Sequence, residues 1–171
     1  MFRLFTAALA ATTFQGAALA QNQPAPPPCA DDIHRDFDFW IGEWDVFDVN
    51  DNKIGENSIQ VELDGCLLVE RWNSANNIPG SSYNFVDFGT KKWRQVWVSS
   101  WGTIDYDGGL NDAGEMVLEG ELAAPNGNVV GFRGTWALQE DGSVKQSFDQ
   151  QNAETKEWTN AFVGIYRKKT E

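Results

Sequence analysis

Glu70-x-Trp72, Ser82-x-Asn84, Trp93-x-Gln95-x-Trp97, Arg133-x-Thr135 and Gln146-x-Phe148 each set a polar side chain two residues from an aromatic or second polar one. In an extended chain residues two apart share a face, so each run would present its members on one side of a sheet. A wall of indole rings bearing a carboxylate, amides, a hydroxyl and a guanidinium is the usual composition of a small-molecule site. The expected ligand-binding set is Glu70, Trp72, Ser82, Asn84, Gln95, Trp97, Arg133, Trp136 and Gln146. In it Trp72, Trp97 and Trp136 supply ring surface, while Glu70, Gln95 and Arg133 orient the polar end of an apolar or aromatic small molecule.

A plain structural role competes at every one of these positions, because tryptophans fill barrel cores and Glu70, Gln95 and Arg133 can face water. Gln95 decides the orientation. Turning it to solvent would also expose Trp93 and Trp97, each worth ~2 kcal/mol or more of burial, and one satisfied buried amide costs less. These faces are expected inward. A buried Glu70 then needs a donor. It either pairs with Arg133 in a purely structural contact, the preferred reading, or rises in pKa and acts as a general acid or base. Glu70 is the one candidate for catalysis.

Other chemistries find little support. The only histidine, His34, lies among Asp31, Asp32, Asp36 and Asp38, but sequence clustering alone does not converge ligands, and no metal site is expected. His34 and Arg35 are expected to pair with neighbouring acids on a lid. Asp48-x-Asn50-x-Asn52 copies the start of a calcium loop but lacks its glycine and closing glutamate, so it reads as a hairpin turn. There is no Gly-x-Ser-x-Gly, and Gly108-Gly109 is an isolated pair in a strand context, which excludes the usual nucleophile elbow and phosphate-cradling loop. No cofactor is expected.

The elements that must position these residues are short strands. Runs near 43–50, 54–63, 66–73, 81–88, 93–100, 102–109, 116–122, 128–138, 144–150 and 159–168 are rich in Val, Ile, Trp, Tyr and Phe. Asn50-Asp51-Asn52-Lys53, Asp64-Gly65, Asn126-Gly127 and Asp141-Gly142 punctuate them with hairpin chemistry. No stretch sustains a helical period. The spacing predicts an all-β, up-and-down antiparallel barrel of about ten strands, which can hold one small ligand. Gly108-Gly109, Gly131 and Gly134 are expected to mark bulges or sharp bends.

The chain has 171 residues and a formal net charge of −12. Arg3 followed by an apolar stretch to Ala18-Leu19-Ala20 reads as a signal peptide cut after Ala20, giving a periplasmic or secreted product. Residues 21–30 read as a Pro-rich linker and 31–171 as one barrel domain. Such acidity makes nucleic acid and anionic membrane poor partners, and no membrane insertion is expected. In an oxidising compartment Cys29 and Cys66 are expected to form a disulfide, with a lipid anchor at Cys29 as the rival.

Gly42-x-Trp44 entering the first strand, with Arg167 on the last, resembles the calycin superfamily of lipocalins and fatty-acid-binding proteins. The longer pattern, His34 through Val46, then Asp64-Gly65-Cys66, Glu70-x-Trp72 and Trp93-x-Gln95-x-Trp97, resembles an uncharacterised bacterial family of exported calycin-like domains across nearly the whole mature chain. The resemblance implies structural roles for Gly42, Trp44 and Arg167, the arginine packing across the tryptophan at the closed barrel end. It implies a fold without an assigned reaction. Haem-binding relatives of nitrobindin type use a late-strand histidine, and this chain has none after His34. Three functions follow: a small-molecule binder, a barrel isomerase or hydrolase working through Glu70, or a packed interaction module with Trp40, Trp101 and Trp158 on one rim.

Overall fold

The computed structural model describes residues 28–170. The expected signal peptide and linker residues 21–27 lie outside them. Ten strands follow one another in the chain: β1 (Gly42–Phe47), β2 (Lys53–Glu62), β3 (Leu67–Ser74), β4 (Pro79–Asp87), β5 (Lys92–Ser99), β6 (Gly102–Leu110), β7 (Met116–Ala123), β8 (Val129–Leu138), β9 (Val144–Gln151) and β10 (Trp158–Lys168). Each pairs antiparallel with its neighbours, and β10 pairs back onto β1, with Trp44 opposite Lys168 and Phe47 opposite Ile165. The barrel is closed. Closure leaves no strand with an unpaired edge, which is how a sheet of this size avoids edge-to-edge association.

Alternation dictates what faces inward. On β5 Trp93, Gln95 and Trp97 are buried while Arg94 and Val98 are not. Outside, Arg94 pairs with Asp105 at 2.6 Å and Lys92 with Asp107 at 2.7 Å, cross-strand contacts worth ~0.2–1 kcal/mol each in water. The expected bulges at the internal glycines are absent, and pairing runs through Gly108, Gly131 and Gly134 without a shift. Those positions serve close approach instead. A Cβ on Gly108 would stand 2.0 Å from the Val117 carbonyl oxygen, and one on Gly134 would meet the Trp136 ring at 2.6 Å. Shifts occur between Val46 and Phe47 and between Asn160 and Phe162.

Short 3₁₀ segments at Asp32–Arg35 and Asp38–Trp40 plug one end of the barrel. Phe37 stacks on Trp40 with centroids 4.8 Å apart and meets Trp136 and Trp93 edge-on. Two barrel indoles hold the plug by its backbone: Trp93 Nε1 donates to the Ile33 carbonyl at 2.9 Å, and Trp44 Nε1 to the Trp40 carbonyl at 2.8 Å. As expected, His34 pairs with Asp31, and Arg35 reaches Asp38 at 3.5 Å. The Cys29–Cys66 disulfide ties the chain ahead of the plug to the turn between β2 and β3.

The Gly-x-Trp signature is built as expected, with one change of partner. Gly42 has φ +139°, a conformation that side chains resist, and a Cβ there would lie 3.0 Å from Lys168 Nζ. Lys168, not Arg167, covers the Trp44 ring, at 4.8 Å, and donates to the Ile41 carbonyl at 3.0 Å. Arg167 faces outward, stacking on Phe47 at 4.5 Å and pairing with Asp51 at 2.6 Å. One residue of parity separates the two cations. Trp40, Trp101 and Trp158 do not share a rim, because Trp40 is fully buried in the plug while the other two lie toward the opposite end.

Candidate ligand-binding cavity

Above the plugged end, a cavity of about 260 Å³ occupies the barrel interior. Its lining follows one rule on five strands. The residue nearer the plug is polar, and an inward neighbour nearer the mouth is apolar: Glu70 below Trp72, Gln95 below Trp97, Tyr106 below Ile104, Gln146 below Phe148 and Tyr166 below Phe162. Trp101 and Phe132 complete the apolar wall. The result is an aromatic chamber over a polar floor, the mixture expected of a site for one small molecule.

The two mouth indoles have fixed seats. A Cβ on Gly80 would stand 2.1 Å from the Trp97 ring, and one on Gly55 would stand 2.4 Å from the Trp72 ring. Each ring therefore lies on a neighbouring strand at a point where any other residue would displace it.

The floor is a directed hydrogen-bond belt. Tyr106 Oη donates to Gln95 Oε1, and Gln95 Nε2 donates to Asn84 Oδ1. Asn84 Nδ2 donates to Ser82 Oγ at 2.9 Å and to the Leu68 carbonyl at 3.1 Å. Ser82 Oγ donates to Glu70 Oε2 at 2.6 Å, and Asn57 Nδ2 donates to Glu70 Oε1 at 2.7 Å and to Tyr166 Oη at 3.4 Å. Tyr166 Oη in turn donates to Gln146 Oε1. Both tyrosine protons and the serine proton are thus spent inside the belt. Glu70 accepts from both sides.

Electrostatics single out the same residue. Glu70 is 3% exposed, and among the described residues no cation is its hydrogen-bond partner. Burial pushes its carboxyl up from 4.5 to about 7, and the bonds from Ser82 and Asn57 offset only part of that rise. Tyr106 and Tyr166 are held well above the ordinary phenol value, chiefly by burial and secondly by the Glu70 charge, so both stay neutral.

Arg133 corrects the sequence reading. Phe132, Gly134 and Trp136 occupy the inward parity of β8, so Arg133 faces out, bonded to Glu119 at 2.7 Å and stacked on Trp158 at 4.3 Å. The expected Glu70–Arg133 pair does not form. Trp158 is available outside because Ala161 is the extra residue of the β9–β10 bulge and reverses the alternation of β10. Trp136 faces inward but sits fully buried against Phe37, Trp40 and Tyr106, in the packed base beneath the cavity. Ser82 and Asn84 are buried behind the wall, acting on Glu70 and Gln95 without lining the space. Glu70, Trp72, Gln95, Trp97 and Gln146 line it directly.

Asn57, Tyr106 and Tyr166 belong to the floor although the sequence reading passed over them. Each carried a signal. Asn57 alternates with Gly55 and Ile59, Tyr106 with Ile104, and Tyr166 follows Phe162 by four residues on one strand. Parity places all three inside; the β2–β3 hairpin brings Asn57 to Glu70, and closure of the barrel brings Tyr166 to Asn57.

Among the described residues no three His, Cys, Asp or Glu side chains converge on a point that could hold a metal, and no helix is long and apolar enough to cross a membrane. Fold and interior together define an up-and-down, ten-stranded barrel of calycin-like architecture with an internal chamber. No family model matches the chain, and no curated protein does so.

Proposed function

We propose that this protein is an exported binder of one small, largely apolar or aromatic molecule, held in the barrel chamber with its polar end on the floor. The observation that carries the reading is the stratified cavity, with Trp72 and Trp97 above and Glu70, Gln95 and Gln146 below. Its volume, about 260 Å³, lies just under the ~300 Å³ at which drug-sized pockets begin, so the occupant is of single-ring size. The Cys29–Cys66 disulfide supports export, since such bonds persist in oxidising compartments.

The test is titration of small aromatic compounds against intrinsic tryptophan fluorescence, on the mature chain and on Gly80→Ala. Binding should shift the emission of the mouth indoles. In the variant the new methyl pushes the Trp97 ring off its seat into the chamber, and affinity should fall by ~10-fold or more, the scale of one lost buried contact. Equal affinity in both proteins would place the ligand elsewhere.

Catalysis is a second reading with one observation in its favour. A carboxyl raised to about 7 is matched to proton transfer at neutral pH. Recovery of the bound compound unchanged after prolonged incubation would remove it.

A further inference from the structure

The floor of the chamber carries one formal charge with no counter-ion among the described residues, mostly oxygen acceptors, and one uncommitted donor, the Gln146 amide nitrogen. Glu70 receives only neutral donors, the Asn57 amide and the Ser82 hydroxyl, and each carboxylate oxygen keeps a free lone pair. The tyrosines beside it have given their protons to Gln95 and Gln146, so what Tyr106 and Tyr166 can still offer an occupant is oxygen lone pairs. Asn57 Nδ2 bridges Glu70 and Tyr166, which sets two of these acceptors side by side.

The walls are mostly aromatic, with Ile104, Ala161 and the Gln150 amide between the rings. Trp72, Trp97, Trp101, Phe148 and Phe162 surround the space above the floor. Ring faces are negative and attract cations, most strongly in a desolvated site. Arg133, the cation expected from the sequence to meet Glu70, is committed outside to Glu119 and Trp158, and Arg71, next to Glu70 on β3, is exposed and pairs with Glu62. A net charge of −12 also raises the local concentration of small cations around the barrel.

Resting on the small-molecule reading above, we propose that the occupant is a primary-amine cation with a compact aromatic or aliphatic body, its ammonium group on Glu70 and the adjacent tyrosine oxygens and its body between the indoles. An ammonium has three donors and no acceptor, which matches a floor whose hydroxyl protons are already spent. It also supplies the charge that Glu70 lacks, converting a costly lone carboxylate into a hydrogen-bonded pair. A neutral alcohol would leave that charge uncompensated. A carboxylate would set two negative groups together.

The groups facing Glu70 from the packed strands are Asn57 on β2, Ser82 on β4, Tyr106 on β6 and Tyr166 on β10; among the described residues no other acid and no base lines the chamber. Of these only Glu70 titrates near neutrality. The ammonium binds the ionised form, so affinity should climb as pH rises toward 7 and level off above it.

Three probes of one body separate the possibilities by calorimetry on the mature protein: 2-phenylethylamine, 2-phenylethanol and 3-phenylpropanoate, each from pH 5.5 to 8.5. The amine, an ammonium ion throughout, should bind at least ~10-fold tighter than the alcohol at pH 8 and lose ~10-fold per pH unit below 7, the slope of one coupled proton. The alcohol should show no such slope. In Glu70→Gln the amine preference should vanish; the slope in the unmodified protein carries the test if that variant does not fold. Binding of the alcohol as tightly as the amine, or of the carboxylate more tightly, overturns the amine assignment and leaves the chamber a binding site. Failure of all three to bind overturns the binding reading itself.

Discussion

At the scale of single residues the protein is organised around Glu70. Between pH 4.5 and about 7 the folded chain holds a proton on this carboxyl that the unfolded chain has already released. Stability therefore falls as pH rises through that window, by up to ~3 kcal/mol, and is level above it. The exposed acids act in another range. Asp87, Asp105 and Asp141 are held below their ordinary values by donors, so their contribution is full above about pH 4 and is lost as pH falls through their lowered values. Glu70→Gln should flatten the upper window while leaving the lower one. Asn57 Oδ1 is buried without a partner, and rotation of that amide gives the new glutamine nitrogen an acceptor. Urea midpoints measured from pH 4.5 to 8 check this, and an unchanged slope in the variant would assign the pH dependence to another group.

At the scale of elements, the barrel has a fixed end and a working end. The fixed end is a plug of two 3₁₀ segments, held by the Trp93 and Trp44 indole donors, by aromatic packing around Phe37 and by the disulfide. The bridged cysteines are 37 residues apart, and closing a loop of that length in the unfolded chain is worth about 3–4 kcal/mol in the chain-entropy account. Replacing both cysteines by serine should lower stability by roughly that amount while leaving ligand affinity within ~2-fold, because neither cysteine touches the chamber. Thermal melts and titrations on the same variant measure both. At the working end β3 and β5 present Trp72 and Trp97 on glycine seats supplied by β2 and β4, so the rings are positioned by backbone spacing and not by flexible neighbours. That is how a small chamber keeps its shape without a ligand.

At the scale of the whole molecule, closure makes every strand depend on two others. The β1–β10 seam joins the first strand to the last, and the polar belt crosses from β2 through β6 on one side and to β9 and β10 on the other. Losing any of seven strands removes a member of the belt. Denaturation followed by far-ultraviolet dichroism and by tryptophan fluorescence should therefore give coincident transitions. An early fluorescence change would show that the chamber melts ahead of the sheet.

All ten strands, their alternation and the hairpin chemistry between them were legible in the chain, because period-two patterning and Asp-Gly or Asn-Gly punctuation are local properties. The inward placement of Glu70, Trp72, Gln95, Trp97 and Gln146 followed from the same periodicity. The reading of Arg133 went wrong where parity was available to correct it, since Arg133 and Trp136 cannot share a face of one regular strand. Trp158, by contrast, lies outside because of a single extra residue at Ala161, which nothing in the local sequence announces. The belt around Glu70 joins residues as far apart as Asn57 and Tyr166, 109 positions in the chain, and Lys168 in place of Arg167 over Trp44 depends on the seam register. Sequence by itself determined which side chains of each regular strand enter the barrel; tertiary pairing decided the bulge that turns Trp158 outward and which inward residues meet, because register and bulges are set by the closed sheet as a whole.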